Sequence, residues 1–164
     1  MSISVTVVVG NPKARGRTWE TAHRIGEAVG DVTASYDVIE FGAPLLGWGD
    51  AAIQEAVSQV AASDLVVVAS PTYKAAYSGV LKLFLDKFDG GTGLRDVVAL
   101  PVQLGGSAVH SLAPELHLKP VLVELGAIVP APALYLIDGA EPDPAEQAWL
   151  QRWKPVLQAA VRQR

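Results

Sequence analysis

Apolar runs and helical stripes alternate along this chain. "SISVTVVV" near the start is β-branched and almost unbroken in apolarity, the pattern of a strand covered on both faces. Beyond a polar loop the spacing predicts a helix from about Thr18 to Val29, then a second strand in "SYDVIEF". "GAPLLGWGD" is a Gly/Pro-rich connection, and Asp50 stands where it can cap a helix over Ala51 to Ala62. "DLVVVAS" is a third, fully buried strand. Ser78 or Gly79 opens a helix whose Val80, Leu81, Phe84, Leu85 and Phe88 share one face. A turn, "GGTGLRD", leads into the fourth strand, "VVALPVQL". "GGSAVHSLAPELHLKPVLVELG" is helical in content; Pro114 suits a first turn, whereas Pro120 is expected to kink or interrupt the helix. "AIVPAPALYL" reads as a fifth strand whose prolines suit a sheet edge. A last helix begins at about Pro144 and carries Trp149, Trp153 and Val156.

Five strands joined by helices make an α/β, doubly wound parallel sheet with right-handed crossovers, one domain over residues 1–164. The common five-strand order, 2-1-3-4-5, sets strands one, three and four in the middle. Ligands then gather at their carboxyl ends, where the order reverses. The loops at those ends are "GNPKARGRT", "SPTYKAAYSG" and "QLGGSAVH".

Composition narrows the partner. Half of the residues are hydrophobic and the mean hydropathy is +0.28, which excludes a disordered chain. No apolar run approaches the ~18 residues of a bilayer span. "MSISVTVVVGNP" lacks a basic flank, so it reads as a strand and not a signal peptide. The chain has no cysteine, hence no disulfide framework and no thiolate metal site. These features fit a cytoplasmic protein. A formal charge of −4 argues against a nucleic-acid surface and leaves a small molecule as the expected partner.

Each loop has two readings. The first holds Lys13, Arg15, Arg17 and Thr18 ahead of a helix, where unpaired N–H groups favour a phosphate. It is equally a solvated basic loop with Thr18 as a helix cap. It is neither a P-loop nor the G-x-G-x-x-G dinucleotide fingerprint. In the second, Pro71 is expected to stop the strand, Tyr73 and Tyr77 offer flat faces, and Lys74 adds a cation. The plainer reading has the tyrosines covering the edge of the core. In the third, Gly105, Gly106 and Ser107 offer backbone N–H groups to a flat ring, or form an ordinary turn.

"GNPKARGRT", "SPTYKAAYSGVLKLFLD" and "GGSAVHSLAPELHLKPVL", taken in order, resemble the flavodoxin-like NADPH-dependent FMN reductase family. In particular they resemble reductases that supply reduced flavin to two-component sulfonate monooxygenases. The resemblance implies that Asn11, Lys13, Arg17 and Thr18 hold the FMN phosphate. It implies that Pro71, Thr72, Tyr73 and Lys74 line the ribityl chain and flavin, and that Gln103, Gly105, Gly106 and Ser107 lie beside the isoalloxazine ring. It further implies NADPH as hydride donor (NADH being the alternative), a flavin-dependent monooxygenase as partner, and a homodimer or homotetramer. Leu83, outside the stripe its own sheet needs, is a candidate for that contact. The chain departs from the family where Asn11, Gly16 and Trp19 replace small hydroxyl residues. Leu116 stands where the sulfonate-linked members carry an inserted tyrosine.

The expected reaction is hydride transfer from the nicotinamide to the flavin, which requires no protein nucleophile, general acid or metal. His23, His110 and His117 are read as helix or surface residues. A receiver-type signalling domain would need acids where this chain has "GNPKAR" and "ASPTYK". A flavodoxin-like electron carrier, or a quinone, azo-dye or chromate reductase with bound FMN, remains open on sequence grounds.

Overall fold

The apolar segments become five parallel strands: β1 (Ser4–Val9), β2 (Asp31–Asp37), β3 (Leu65–Pro71), β4 (Val98–Gly105) and β5 (Leu134–Ile137). They lie in the order β2-β1-β3-β4-β5, as expected. The computed structural model describes residues 2–139 and 143–163. Among the described residues five α-helices flank the sheet: α1 (Arg17–Val29), α2 (Ala51–Ala61), α3 (Gly79–Leu85), α4 (Lys119–Glu124) and α5 (Pro144–Arg162). Strand period 2 sorts the side chains into two cores. Val5, Val7 and Val9 with Leu65, Val67 and Ala69 pack beneath α1 and α5, against Ile25 and Leu157. Val8, Val66 and Val68 pack beneath α2, α3 and α4, against Ile53, Phe84 and Leu122. Burial of each such side chain contributes about 1.5–3 kcal/mol. Among the described residues no helix is long and apolar enough to cross a membrane.

The structure corrects several element boundaries. The second strand runs over 31–37, and Val38–Phe41 is a 3-10 turn. Gly30 reverses the chain directly after α1; a Cβ there would lie 2.5 Å from the Ile3 carbonyl, so the strand starts at once against β1. The apolar Val38 and Phe41 belong to the turn and pack on the α3 side, Phe41 stacked on Phe84 at 5.9 Å. The fifth strand is only 134–137, because Pro130 and Pro132 cannot donate to a ladder; Ile128 makes one isolated bridge to Val98.

Pro71 does not stop β3. It pairs with Leu104 as the last strand residue, two residues beyond the β1 ladder, which ends at Ala69. Its missing N–H therefore breaks no pairing of that ladder. The proline-bearing helix divides into a 3-10 turn (Ala108–His110), a π-helical turn (Pro114–Leu118) and α4. Pro114 and Pro120 both sit in first turns. The widened π turn, closed by the Lys119 N–H on the Pro114 carbonyl, admits the Pro120 ring without a clash one turn back. Leu116 lies on this π turn, exposed. Asp50 caps α2 as expected, accepting from the Ala52 and Ile53 amides at 3.0 and 3.1 Å.

Candidate functional site

The carboxyl ends of β1, β3 and β4 deliver three loops to one rim, and buried hydroxyls tie them together. The Ser78 amide donates to Ser70 Oγ at 2.8 Å. Ser78 Oγ accepts from the Leu81 amide at 3.1 Å, capping α3, and donates to the Gly10 carbonyl at 2.6 Å. The first loop is thereby pressed onto α3. A Cβ on Gly10 would lie 2.3 Å from Leu81 Cβ, so the approach requires glycine.

Within the first loop, Asn11 Oδ1 accepts the Lys13 amide at 3.0 Å, and Asn11 Nδ2 reaches Thr18 Oγ1 at 3.4 Å. Gly16, not Thr18, is the cap position of α1, and no side chain caps it. Thr18 is the second helical residue, buried, and faces the cleft. Arg15 adopts φ +53° and turns away. Its amide donates to Asp37 Oδ2 at 2.7 Å, its guanidinium forks onto Glu40 at 2.9 and 2.9 Å, and it covers the Trp19 ring at 4.0 Å. Burial pushes the Asp37 carboxyl above the usual carboxylate range, only partly offset by the Arg15 amide. Arg15 holds Glu40 below its ordinary value.

In the second loop, Tyr73 and Ala76 exchange backbone hydrogen bonds of 2.8 and 3.1 Å across a two-residue turn. Lys74 and Ala75 form its tip at φ +49° and +66°, the double left-handed pair of a type I′ hairpin. In the third loop, Tyr135 of β5 crosses over Gly105 and donates to the Ser107 carbonyl at 2.7 Å. A Cβ on Gly105 would lie 1.8 Å from the Tyr135 oxygen, whereas Gly106 has open space.

Together the loops enclose a cleft of about 440 Å³. Of the residues expected there, Asn11, Lys13, Arg17, Thr18, Pro71, Thr72, Tyr73, Gly105 and Gly106 line it. Lys74, Gln103 and Ser107 do not. Lys74 is exposed at the hairpin tip, and Ser107 is exposed with its carbonyl turned to Tyr135. Gln103 lies fully buried under the rim, where its Nε2 donates to Thr72 Oγ1 at 3.1 Å. That bond leaves the Thr72 hydroxyl proton to be donated elsewhere. Gln103 Oε1 has no partner among the described residues. Tyr77 also falls outside the cleft; it packs on the α3 core, and burial raises its phenol.

Leu104 and Asp138 line the cleft without having been expected. Arg17 Nη1 meets Asp138 Oδ1 at 2.8 Å, and the Asp138 amide donates to the Gly105 carbonyl at 2.9 Å. The shape of "LYLIDG" as an edge strand ending beside the fourth was the available signal for Asp138 and Tyr135. His23 is occupied structurally: its ring lies tilted against Trp19 at 4.1 Å and its Nε2 meets Ser35 Oγ at 2.7 Å. Leu83 packs partly against the core, so it is not the free apolar residue expected. Val109, Leu112, Leu116 and Val123 are instead exposed, on the π turn and the segments flanking it.

The arrangement has relatives. The chain is 43% identical over 76 residues to an FMN reductase (NADPH) of Escherichia coli, a match covering 46% of this chain and 39% of that one. An NADH-dependent FMN reductase of Pseudomonas putida is 30% identical over 129 residues, covering 73% of this chain and 69% of its own. Among solved structures, the apo form of an NADH:FMN oxidoreductase superposes with a TM-score of 0.83 at 26% identity, covering 98% of this chain and 89% of that one. The family model described as NADPH-dependent FMN reductase matches residues 3–142. This chain belongs to the NADPH-dependent FMN reductase family.

Proposed function

We propose that this protein binds FMN across the three loops and reduces it with a nicotinamide coenzyme, NADPH or NADH. The observation that carries the reading is the joint lining of one cleft by the three loops. Lys13, Arg17 and Thr18 reach it from the first loop and the start of α1, and Thr72, Tyr73 and Gly106 from the second and third loops. The first set suits a phosphate monoester, with cations, a hydroxyl and the amino end of α1. The second suits a flat heteroaromatic: one aromatic face, a hydroxyl donor oriented from beneath by Gln103, and a backbone with space beside it. The residues present therefore fit FMN, and the unpartnered Gln103 Oε1 marks polar capacity under the same rim.

Bound FMN supplies a two-electron acceptor for hydride, so the protein's part is to bind, orient and exclude water. Asn11 sets the loop by holding the Lys13 amide, and Tyr73 would offer its flat face to the ring. Tyr73 is the single aromatic lining the cleft among the described residues, which leaves the opposite face open to a nicotinamide and to departure of the flavin. On this reading FMN is an exchanging substrate, and reduced FMN passes to a separate flavin-dependent monooxygenase. Self-association belongs to the same reading, supported by the exposure of Val109, Leu112, Leu116 and Val123 on neighbouring turns of the chain. A monomer mass by light scattering at micromolar concentration would remove that part.

The test is steady-state oxidation of NADPH and of NADH by dialysed protein as FMN is added. The rate is expected to rise hyperbolically with FMN. Protein that keeps its flavin on dialysis and ignores added FMN would instead be a reductase with a fixed prosthetic group.

A further inference from the structure

The cleft that gathers cations for a phosphate also contains an acid. Asp138 follows directly on the end of β5, and its carboxylate pairs with Arg17 at 2.8 Å across the mouth of the cleft. Its backbone is tied to the third loop through the Gly105 carbonyl, so the carboxylate is held at the rim independently of the ion pair. We propose that Asp138 is an affinity-setting residue that competes with the FMN phosphate for Arg17 and keeps flavin binding weak enough for exchange. The proposal rests on the FMN reading above.

The charge balance carries it. Among the described residues, the formal charges lining the cleft are Lys13 and Arg17 against Asp138. A phosphate dianion entering beside Thr18 either draws Arg17 away from Asp138, leaving the carboxylate facing like charge, or shares Arg17 with it. Each course costs binding energy that a cleft without the acid would retain. A site built to retain FMN would gain by a neutral residue here. Arg17 and Asp138 are 63% and 45% exposed as side chains, so solvent screens the penalty and the effect is a tuning of several-fold, not a block. Riboflavin, which has the same ring and no phosphate, escapes the penalty and is the natural control.

The experiment is titration of the full chain with FMN and with riboflavin, followed by quenching of flavin fluorescence, for wild type, Asp138→Asn and Asp138→Glu. Asp138→Asn is expected to tighten FMN about three- to tenfold, with riboflavin unchanged within about twofold, and the gain should shrink in high salt. Asp138→Glu, which keeps the charge, should stay near wild type. Equal tightening of both flavins would overturn the proposal, because it would mean a cleft opened sterically. FMN binding that is unchanged or weaker in Asp138→Asn would overturn it as well. A parallel Lys13→Ala, Thr18→Ala variant separates the two levels. If that variant weakens FMN relative to riboflavin while Asp138→Asn has no effect, only the role of Asp138 fails. If it leaves the ratio of the two flavins alone, the phosphate assignment fails and Asp138 falls with it.

Discussion

Replacing Lys13 and Arg17 with alanine and Thr18 with valine together is expected to weaken FMN by at least about a hundredfold and riboflavin by little. Three charge-assisted contacts to one phosphate contribute about 1.5–3 kcal/mol each in favourable geometry. Exposure discounts Arg17, whose side chain is 63% exposed and already paired with Asp138. Lys13 is exposed as well and takes the same discount, whereas Thr18, at 3% exposure, is shielded by burial. A combined loss of about 3 kcal/mol corresponds to somewhat over a hundredfold in the dissociation constant. Fluorescence titration with each flavin reads the ratio. An equal loss for both flavins would mean that the substitutions disordered the loop generally and would remove the phosphate assignment.

The largest stability effect is expected from a single methyl group. Gly10→Ala places a Cβ 2.3 Å from Leu81 Cβ and 2.6 Å from Leu81 Cα. Neither atom is the end of a flexible side chain, and Leu81 itself is fully buried. The Ser78 hydroxyl meanwhile holds the Gly10 carbonyl in place at 2.6 Å, so the loop cannot move aside without losing that bond. Overpacking of this kind costs about 1–3 kcal/mol, occasionally more. For a domain of this size, that lowers the melting temperature by about 3–10 °C. Flavin binding should fall in parallel, because the same displacement carries Asn11 and Lys13 with it. Gly106→Ala is the contrasting variant. Its Cβ would meet nothing within 4 Å, so melting should change little, while flavin binding should drop if the ring edge occupies that space as proposed. Circular dichroism melts of the two variants side by side, with FMN titrations, check both halves. A Gly10→Ala protein as stable as wild type would show that the contact between the first loop and α3 is looser than its geometry implies.

Much of the site was legible because its loops follow strong strands. β1, β3 and β4 are continuous apolar runs, so their carboxyl ends, and the residues just beyond, could be located to within a residue or two. The resemblance then pointed to side chains that the cleft does contain. What escaped came from weak strands and from depth. β2 reads "DVTASYD", a half-exposed edge with little apolar alternation, so the apolar residues of the following turn drew the expected strand forward. β5 has four residues, and the pair that matters, Tyr135 within it and Asp138 just after it, belongs to no motif; pairing with β4 alone brings them to the rim. The resemblance implied Gln103 beside the ring, but strand alternation buries it beneath the rim, where it donates to Thr72. Tyr77 shows the same limit. Two tyrosines four residues apart looked equivalent in the loop, yet one lines the cleft and the other packs on the core.

The most direct measurement is a crystal structure of the protein soaked with FMN. The account predicts density for the phosphate against Asn11, Thr18 and the amino end of α1, with the ring between Tyr73 and the Gly105–Gly106 backbone and one ring face open. FMN seated elsewhere, for example in the hollow of about 370 Å³ lined by Trp48, Ile53 and Lys87, or lying in the three-loop cleft with its phosphate turned away from Thr18, would contradict it.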